Sequence, residues 1–236
     1  MVSGLYHVIP CEVQLMPTRR EREKEERQKY ILEKAQGLFA QKGYIGTSMA
    51  EIAEASEFAV GSLYSFFNSK EEILTTIFQE HIQQVLGEVQ QIRDDRKLSI
   101  RQKIEACLEK LVRIYVENQD FFRIYVAESR GVEWGVRSEV GEHIFKGSTQ
   151  YMEGMAALFS EGIETGVIHK GLNPDFLALL LRSFIHSTVN HFLYSGRDYT
   201  VDELLLIAKR VLFFGIMPDG ESGNGRDSEM LFESEN

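Results

Sequence analysis

Few side chains in this sequence are spaced for covalent chemistry. It has no phosphate-cradling glycine loop, no His-Glu-x-x-His pair and no glycine–serine nucleophile elbow. Gly220-Glu-Ser-Gly-Asn-Gly follows no strand pattern and so is not a dinucleotide loop. Glu142-His143 lacks a partner at metal spacing, and His186 and His191 stand five residues apart, off a common helical face. No catalysis, metal or other cofactor is expected. What remains is the chemistry of recognition, and it gathers in Gly61–Leu74, GSLYSFFNSKEEIL. Glycine costs a helix about 1 kcal/mol relative to alanine. It is tolerated where another backbone must come close. One turn on, Tyr64 can set a hydroxyl on a phosphate. Leu63, Phe66 and Phe67, at i, i+3 and i+4, can fix the helix from behind. Each residue has a plainer reading: an aromatic stripe as core, a packing or turn glycine, a packed tyrosine. The joint pattern favours recognition.

The elements that must position these residues are helical. Ile31, Leu32, Ala35, Leu38 and Phe39 repeat at helical spacing between about Arg20 and Lys42, and Gly43 is expected to close that helix in the left-handed conformation. Ser48-x-x-Glu51 is a capping box opening a short second helix, with Met49, Ile52 and Ala53 inward. A turn at Ser56–Ala59 precedes a third helix, about 60–67. Asn68 breaks it, and Ser69-x-x-Glu72 is a further capping box whose helix runs to about Arg93. Further helices are expected at about 99–118, 120–129, 138–164, 174–195 and 201–215. No alternating strand pattern of useful length occurs. The fold class is therefore all-α, about nine helices. The expected organisation is an extension over 1–17, a head over 18–68, a larger helical domain over 69–217 and a disordered, Gly/Ser/acid-rich tail over 218–236. Met16 reads like a natural start.

Composition narrows the setting. The chain has 236 residues, 43% hydrophobic, enough for a real core. No window approaches 18 consecutive apolar residues, so no membrane span is expected. Two cysteines, Cys11 and Cys107, make no disulfide framework, which suits a reducing cytoplasm; Cys107 lies on an apolar stripe and reads as a buried thiol. Net charge is −10, but residues 18–70 carry nine Lys/Arg against eight Asp/Glu. A polyanion is therefore plausible only at the N-terminal end.

Two short helices joined by a tight turn, the second presented outward, are the layout of a helix-turn-helix, whose second helix enters the DNA major groove. The segment ILEKAQGLFAQKGYIGTSMAEIAEASEFAVGSLYSFFNSKEEIL resembles the DNA-binding domain of the TetR family of bacterial transcriptional regulators. The resemblance lies in Ala35, Leu38-Phe39, Gly43-Tyr44, Thr47-Ser48, Ile52-Ala53, Gly61, Leu63-Tyr64, Phe67, Ser69-Lys70 and Leu74. It implies a homodimer with helices 1–3 on a double-stranded DNA operator and helices 4–9 forming a ligand-binding and dimerisation domain. By position, it implies that Thr47 and Ser48 take a phosphate at the helix 2 N-terminus, and that Tyr64 and Lys70 touch the backbone beyond it. Base reading falls to Ala59, Val60, Ser62 and Ser65, with Gly61 at the closest approach. Arg19, Arg20 and Arg22 can reach flanking phosphate or form a solvated helix start. Two residues depart from the family pattern. Glu57 stands where glycine is usual and strains the turn unless its backbone stays right-handed. Val60 stands where lysine or another polar residue is common, and it can meet a thymine methyl but donate to no base.

The helices 174–195 and 201–215 are apolar nearly all round, which one small domain cannot bury alone; a symmetric partner would complete a four-helix interface. The middle helices are rich in Phe122, Tyr125, Trp134, Tyr151, Met152 and Met155, which suit ordinary core or, together, a pocket for a small apolar or amphipathic effector. Arg182 and His186, four apart in a greasy helix, can meet a ligand carboxylate, or face the dimer seam or an acidic neighbour. The function expected is a cytoplasmic, ligand-responsive repressor. The rival is a helical small-molecule-binding or catalytic protein whose head contacts a protein.

Overall fold

The computed structural model describes residues 18–133 and 139–216. The expected N-terminal extension, the tail and Trp134 lie outside the described residues. Within them the chain folds into nine helices and no strand: α1 Arg19–Lys42, α2 Met49–Ala55, α3 Val60–Leu63, α4 Lys70–Asp94, α5 Ile100–Glu117, α6 Gln119–Glu133, α7 Glu139–Glu164, α8 Pro174–Tyr194 and α9 Val201–Ile216. None is long and apolar enough to cross a membrane.

Side-chain caps set most of these boundaries. Thr18 opens α1 with a capping box, its hydroxyl accepting from Glu21 N while the Glu21 carboxylate accepts from Thr18 N. Ser48 with Glu51 does the same for α2, and Ser99 with Gln102 for α5. Asn173 caps α8, with Pro174 in the first turn where its missing N–H costs nothing. The box expected at Ser69 is only half formed. Ser69 Oγ accepts from Glu72 N, but the Glu72 carboxylate turns to Asn68, taking its backbone N–H at 2.6 Å and its amide at 2.9 Å.

Two further expectations near the head, at Gly43 and α3, need correction, and a third, at Glu57, holds. Gly43 has φ 74° but ψ 164°. That is not the left-handed helical cap but an extended, positive-φ conformation that essentially only glycine adopts. Glu57 does sit at φ 60°, so the turn stores strain of about 1–2 kcal/mol for a residue with a Cβ. Finally, α3 is shorter than 60–67. After Leu63 the bonds tighten to i→i−3, from Ser65 N to Ser62 O and Phe66 N to Leu63 O. The Ser65 hydroxyl donates to the same Ser62 carbonyl at 2.6 Å, drawing the turn away from α-helical pairing.

Two apolar cores share one frame. The larger is built from α5, α7, α8, α9 and the C-terminal half of α4. The second holds the head: Ile31, Leu32, Ala35 and Phe39 of α1, Ile52 and Ala53 of α2, Leu63 and Phe67. It does not end at residue 68. Ile73, Leu74, Ile77 and Phe78 of α4, Phe121 and Ile124 of α6, and Ile144 of α7 complete it. The head is therefore packed directly against helices that also belong to the rest of the molecule.

Candidate DNA interface and effector cavity

The outer face of the head is made by α3 and its flanks. Ala59, Val60, Gly61, Ser62, Tyr64 and Ser65 are all exposed, Val60 at 43% and Tyr64 at 50%. Leu63 is fully buried beneath them and Phe67 nearly so. Phe66 packs edge-on against Phe58, with 5.7 Å between centroids. This one-sided anchoring leaves the opposite side of the turn free. Gly61 has no positive φ, and a Cβ built on it meets nothing within 4 Å. No described part of the chain itself requires glycine there.

The phosphate-binding roles expected around α2 are arranged differently. Thr47 is 2% exposed, and its hydroxyl donates inward to Gly43 O at 2.9 Å. A phosphate contact from that hydroxyl does not fit this geometry. Ser48 is exposed but engaged with Glu51. The Lys42 ammonium, 2.6 Å away, and the cap bonds from Ser48 lower the Glu51 carboxyl to about 2, so the α2 N-terminus already holds an anion. Lys70 Nζ donates to Tyr44 O and Thr47 O, each at 2.6 Å, and lies 4.3 Å above the Tyr44 ring. Lys70 thus latches the start of α4 onto the turn between α1 and α2. That latch was not legible in the sequence, because its acceptors are backbone carbonyls more than twenty residues away.

Behind the head, α4, α5, α6, α7 and α8 line a partly open cavity. Of the residues expected to bind a ligand, Tyr125, Tyr151, Arg182 and His186 stand on its wall. Arg182 and His186 therefore face a cavity. Phe122 is fully buried and meets the His186 ring edge-on at 5.8 Å, one layer behind the wall. Met155 is fully buried core, and Met152 packs against that core. The wall also includes residues that sequence reasoning passed over, chiefly His81, Ile82, Val85 and Leu86 of α4 and Tyr115 of α5. The signal was present: 81, 82, 85 and 86 follow helical spacing on one face of α4. Gly147 of α7 lets α4 come close, since a Cβ there would stand 2.6 Å from Ile82 Cγ2.

His81 joins the two regions. Its ring stacks on Phe121 at 3.9 Å, and Nε2 lies 3.1 Å from Gln36 Oε1 of α1. Burial pushes the His81 imidazole down to about 4; burial, with the Arg182 charge, does the same to His186. Both are neutral at pH 7. An unfolded chain takes up these protons below about pH 6.5, whereas the folded one resists until about pH 4. The stability both supply is complete above pH 6.5 and is lost as pH falls towards 4. Urea unfolding at pH 7 and pH 5 is expected to show this loss, smaller in a His81→Gln, His186→Asn variant.

The sequence matches the family described as bacterial regulatory proteins, tetR family, across residues 31–77. Residues 97–204 match a second description, tetracyclin repressor-like, C-terminal domain. The chain belongs to the TetR family. The fatty acid metabolism regulator protein of Bacillus subtilis (strain 168) is a relative, 25% identical over 195 residues, covering 82% of this chain and 98% of that protein. The ketosteroid transcriptional regulator KstR2 of Mycobacterium tuberculosis has a similar fold, with TM-score 0.70, 20% identity, and coverage of 82% of this chain and 96% of that one. So does the regulator FadR from Bacillus subtilis in complex with stearoyl-CoA, with TM-score 0.66, 21% identity, and coverage of 80% and 98%. The TetR fold expected from the head thus extends through the larger helical domain. Among the described residues no cluster of His, Cys, Asp or Glu could hold a metal ion.

Proposed function

We propose that this TetR-family protein is a cytoplasmic homodimeric repressor that grips a palindromic operator through its two heads and releases it when a small apolar or amphipathic molecule fills the cavity. The observation that carries this reading is the one-sided α3: six exposed positions outward, Leu63 and Phe67 buried behind, and a glycine the fold does not need. Ser62, Ser65 and Tyr64 offer hydroxyls, and Val60 an apolar contact suited to a thymine methyl.

The dimer is supported by apolar surface on the last two helices. Phe176 and Leu179 of α8 and Leu206, Ile207, Val211 and Phe214 of α9 are exposed on the single chain. A two-fold partner using the same helices would cover them, and heads about one DNA turn (~34 Å) apart would read a palindrome.

Release follows from shared helices. A ligand pressing on His81, Val85 and Leu86 pushes α4, whose first residue holds the carbonyls of Tyr44 and Thr47. Moving α4 therefore moves the head. To drive occupancy from 1:99 to 99:1, the ligand must prefer the released arrangement by about 10⁴-fold, ~5.5 kcal/mol. The relatives' names, fatty acid metabolism and stearoyl-CoA among them, support an effector with a long apolar part.

A gel shift on the upstream region of the protein's own gene, backed by selection from a random DNA pool, tests the reading. A palindromic duplex is expected to bind. Tyr64→Ala with Lys70→Ala is expected to weaken binding by tenfold or more. Unaltered binding by that variant, or none by the wild type, would favour a head that docks on protein.

A further inference from the structure

The cavity is rich in donors and has no acid. None of its wall residues is Asp or Glu, in a chain of net charge −10. With both histidines neutral at pH 7, Arg182 is the one cation of that wall. Its Nη1 donates to Ser148 Oγ at 3.0 Å, and no carboxylate among the described residues pairs with it. Beside it Tyr151 is 7% exposed, and its buried hydroxyl has no hydrogen-bond partner. Arg182 is within electrostatic reach of both Tyr115 and Tyr151. A half-buried guanidinium answered only by a hydroxyl is a costly arrangement, as is an orphaned phenol. A carboxylate meets both needs, because its two oxygens match the guanidinium fork and can also accept from a phenol. A neutral ester or thioester carbonyl would leave the charge unanswered.

We infer that the cavity is built for a ligand that brings its own negative charge inside, a monocarboxylic acid with an apolar tail, its carboxylate on Arg182 and Tyr151 and its chain along Val85, Leu86, Leu111 and Ile185. This rests on the reading of the cavity as the effector site and specifies the class of effector: a free acid rather than its thioester.

The test compares hexanoic, decanoic and palmitic acids with their methyl esters and coenzyme A thioesters, using thermal shift and calorimetry on the full chain. At least one acid is expected to raise Tm in a dose-dependent way and to bind at least tenfold tighter than its own ester and thioester. Arg182→Gln is expected to erase that preference, and Arg182→Lys, which keeps the charge, to retain part of it. Circular dichroism shows whether each variant folds; if Arg182→Gln does not, the acid–ester comparison on the wild type decides. An ester or thioester that binds as well as the acid, or the failure of every acid to bind, overturns the inference. No DNA enters this experiment, so its failure leaves the operator reading intact, and a failed gel shift leaves the acid preference standing.

Discussion

Gly61→Ala is expected to make the protein more stable and a poorer DNA binder. The site lies in a helix, φ is not positive and the added methyl meets empty space, so alanine fits without strain. Helix propensity then favours alanine by about 1 kcal/mol. If α3 lies against a duplex, the same methyl stands between the helix backbone and the sugar-phosphate chain and holds them apart. Loss of close contact there is expected to weaken operator affinity by tenfold or more, ~1.4 kcal/mol. Thermal unfolding and fluorescence anisotropy on one preparation read both effects. Opposite signs are the mark of a glycine kept for a partner. Equal affinity in the variant would show that no backbone approaches there.

The second large effect is expected at Phe78. It is fully buried, its ring meets Phe121 edge-on at 5.3 Å, and it lies where α1, α4 and α6 converge. Phe78→Ala removes that apolar volume and leaves a cavity, at a cost of about 3–5 kcal/mol in unfolding free energy. Phe145→Ala, on a ring 65% exposed, is expected to cost less than about 0.5 kcal/mol by the same urea titration. Should Phe78→Ala prove as mild as Phe145→Ala, the head would not be packed on α6, and the route from cavity to DNA would lose its middle.

The helices were largely legible because their signals are local. Capping residues and 3.6-residue periodicity placed α5, α7, α8 and α9 within a residue or two. Where the signal was not local, the sequence was a weaker guide. Thr47 reads as a free hydroxyl at a helix start, but whether it turns inward depends on the Gly43 and Leu38 carbonyls of the preceding helix and turn. Lys70 reads as a surface cation, and only the folded turn shows the carbonyls that hold it. Arg182 and His186 carried three readings, since a polar pair in an apolar helix looks alike against a seam, an acid or a cavity. In the folded chain both stand on the cavity wall, which only the crossing of α4, α7 and α8 creates. Glu57 is marked only through the family resemblance, as standing where glycine is usual, with strain expected unless its backbone stays right-handed; its φ of 60° is not right-handed, so that strain is present.

Amide hydrogen exchange, with and without a duplex retained from a random pool, tests most directly whether the presented face of α3 is laid against DNA. Exchange at residues 59–65 is expected to slow on binding, while the amides of α8 around the cavity stay unchanged. A duplex that binds yet leaves 59–65 exchanging as before, or a pool from which no duplex is retained, contradicts the account.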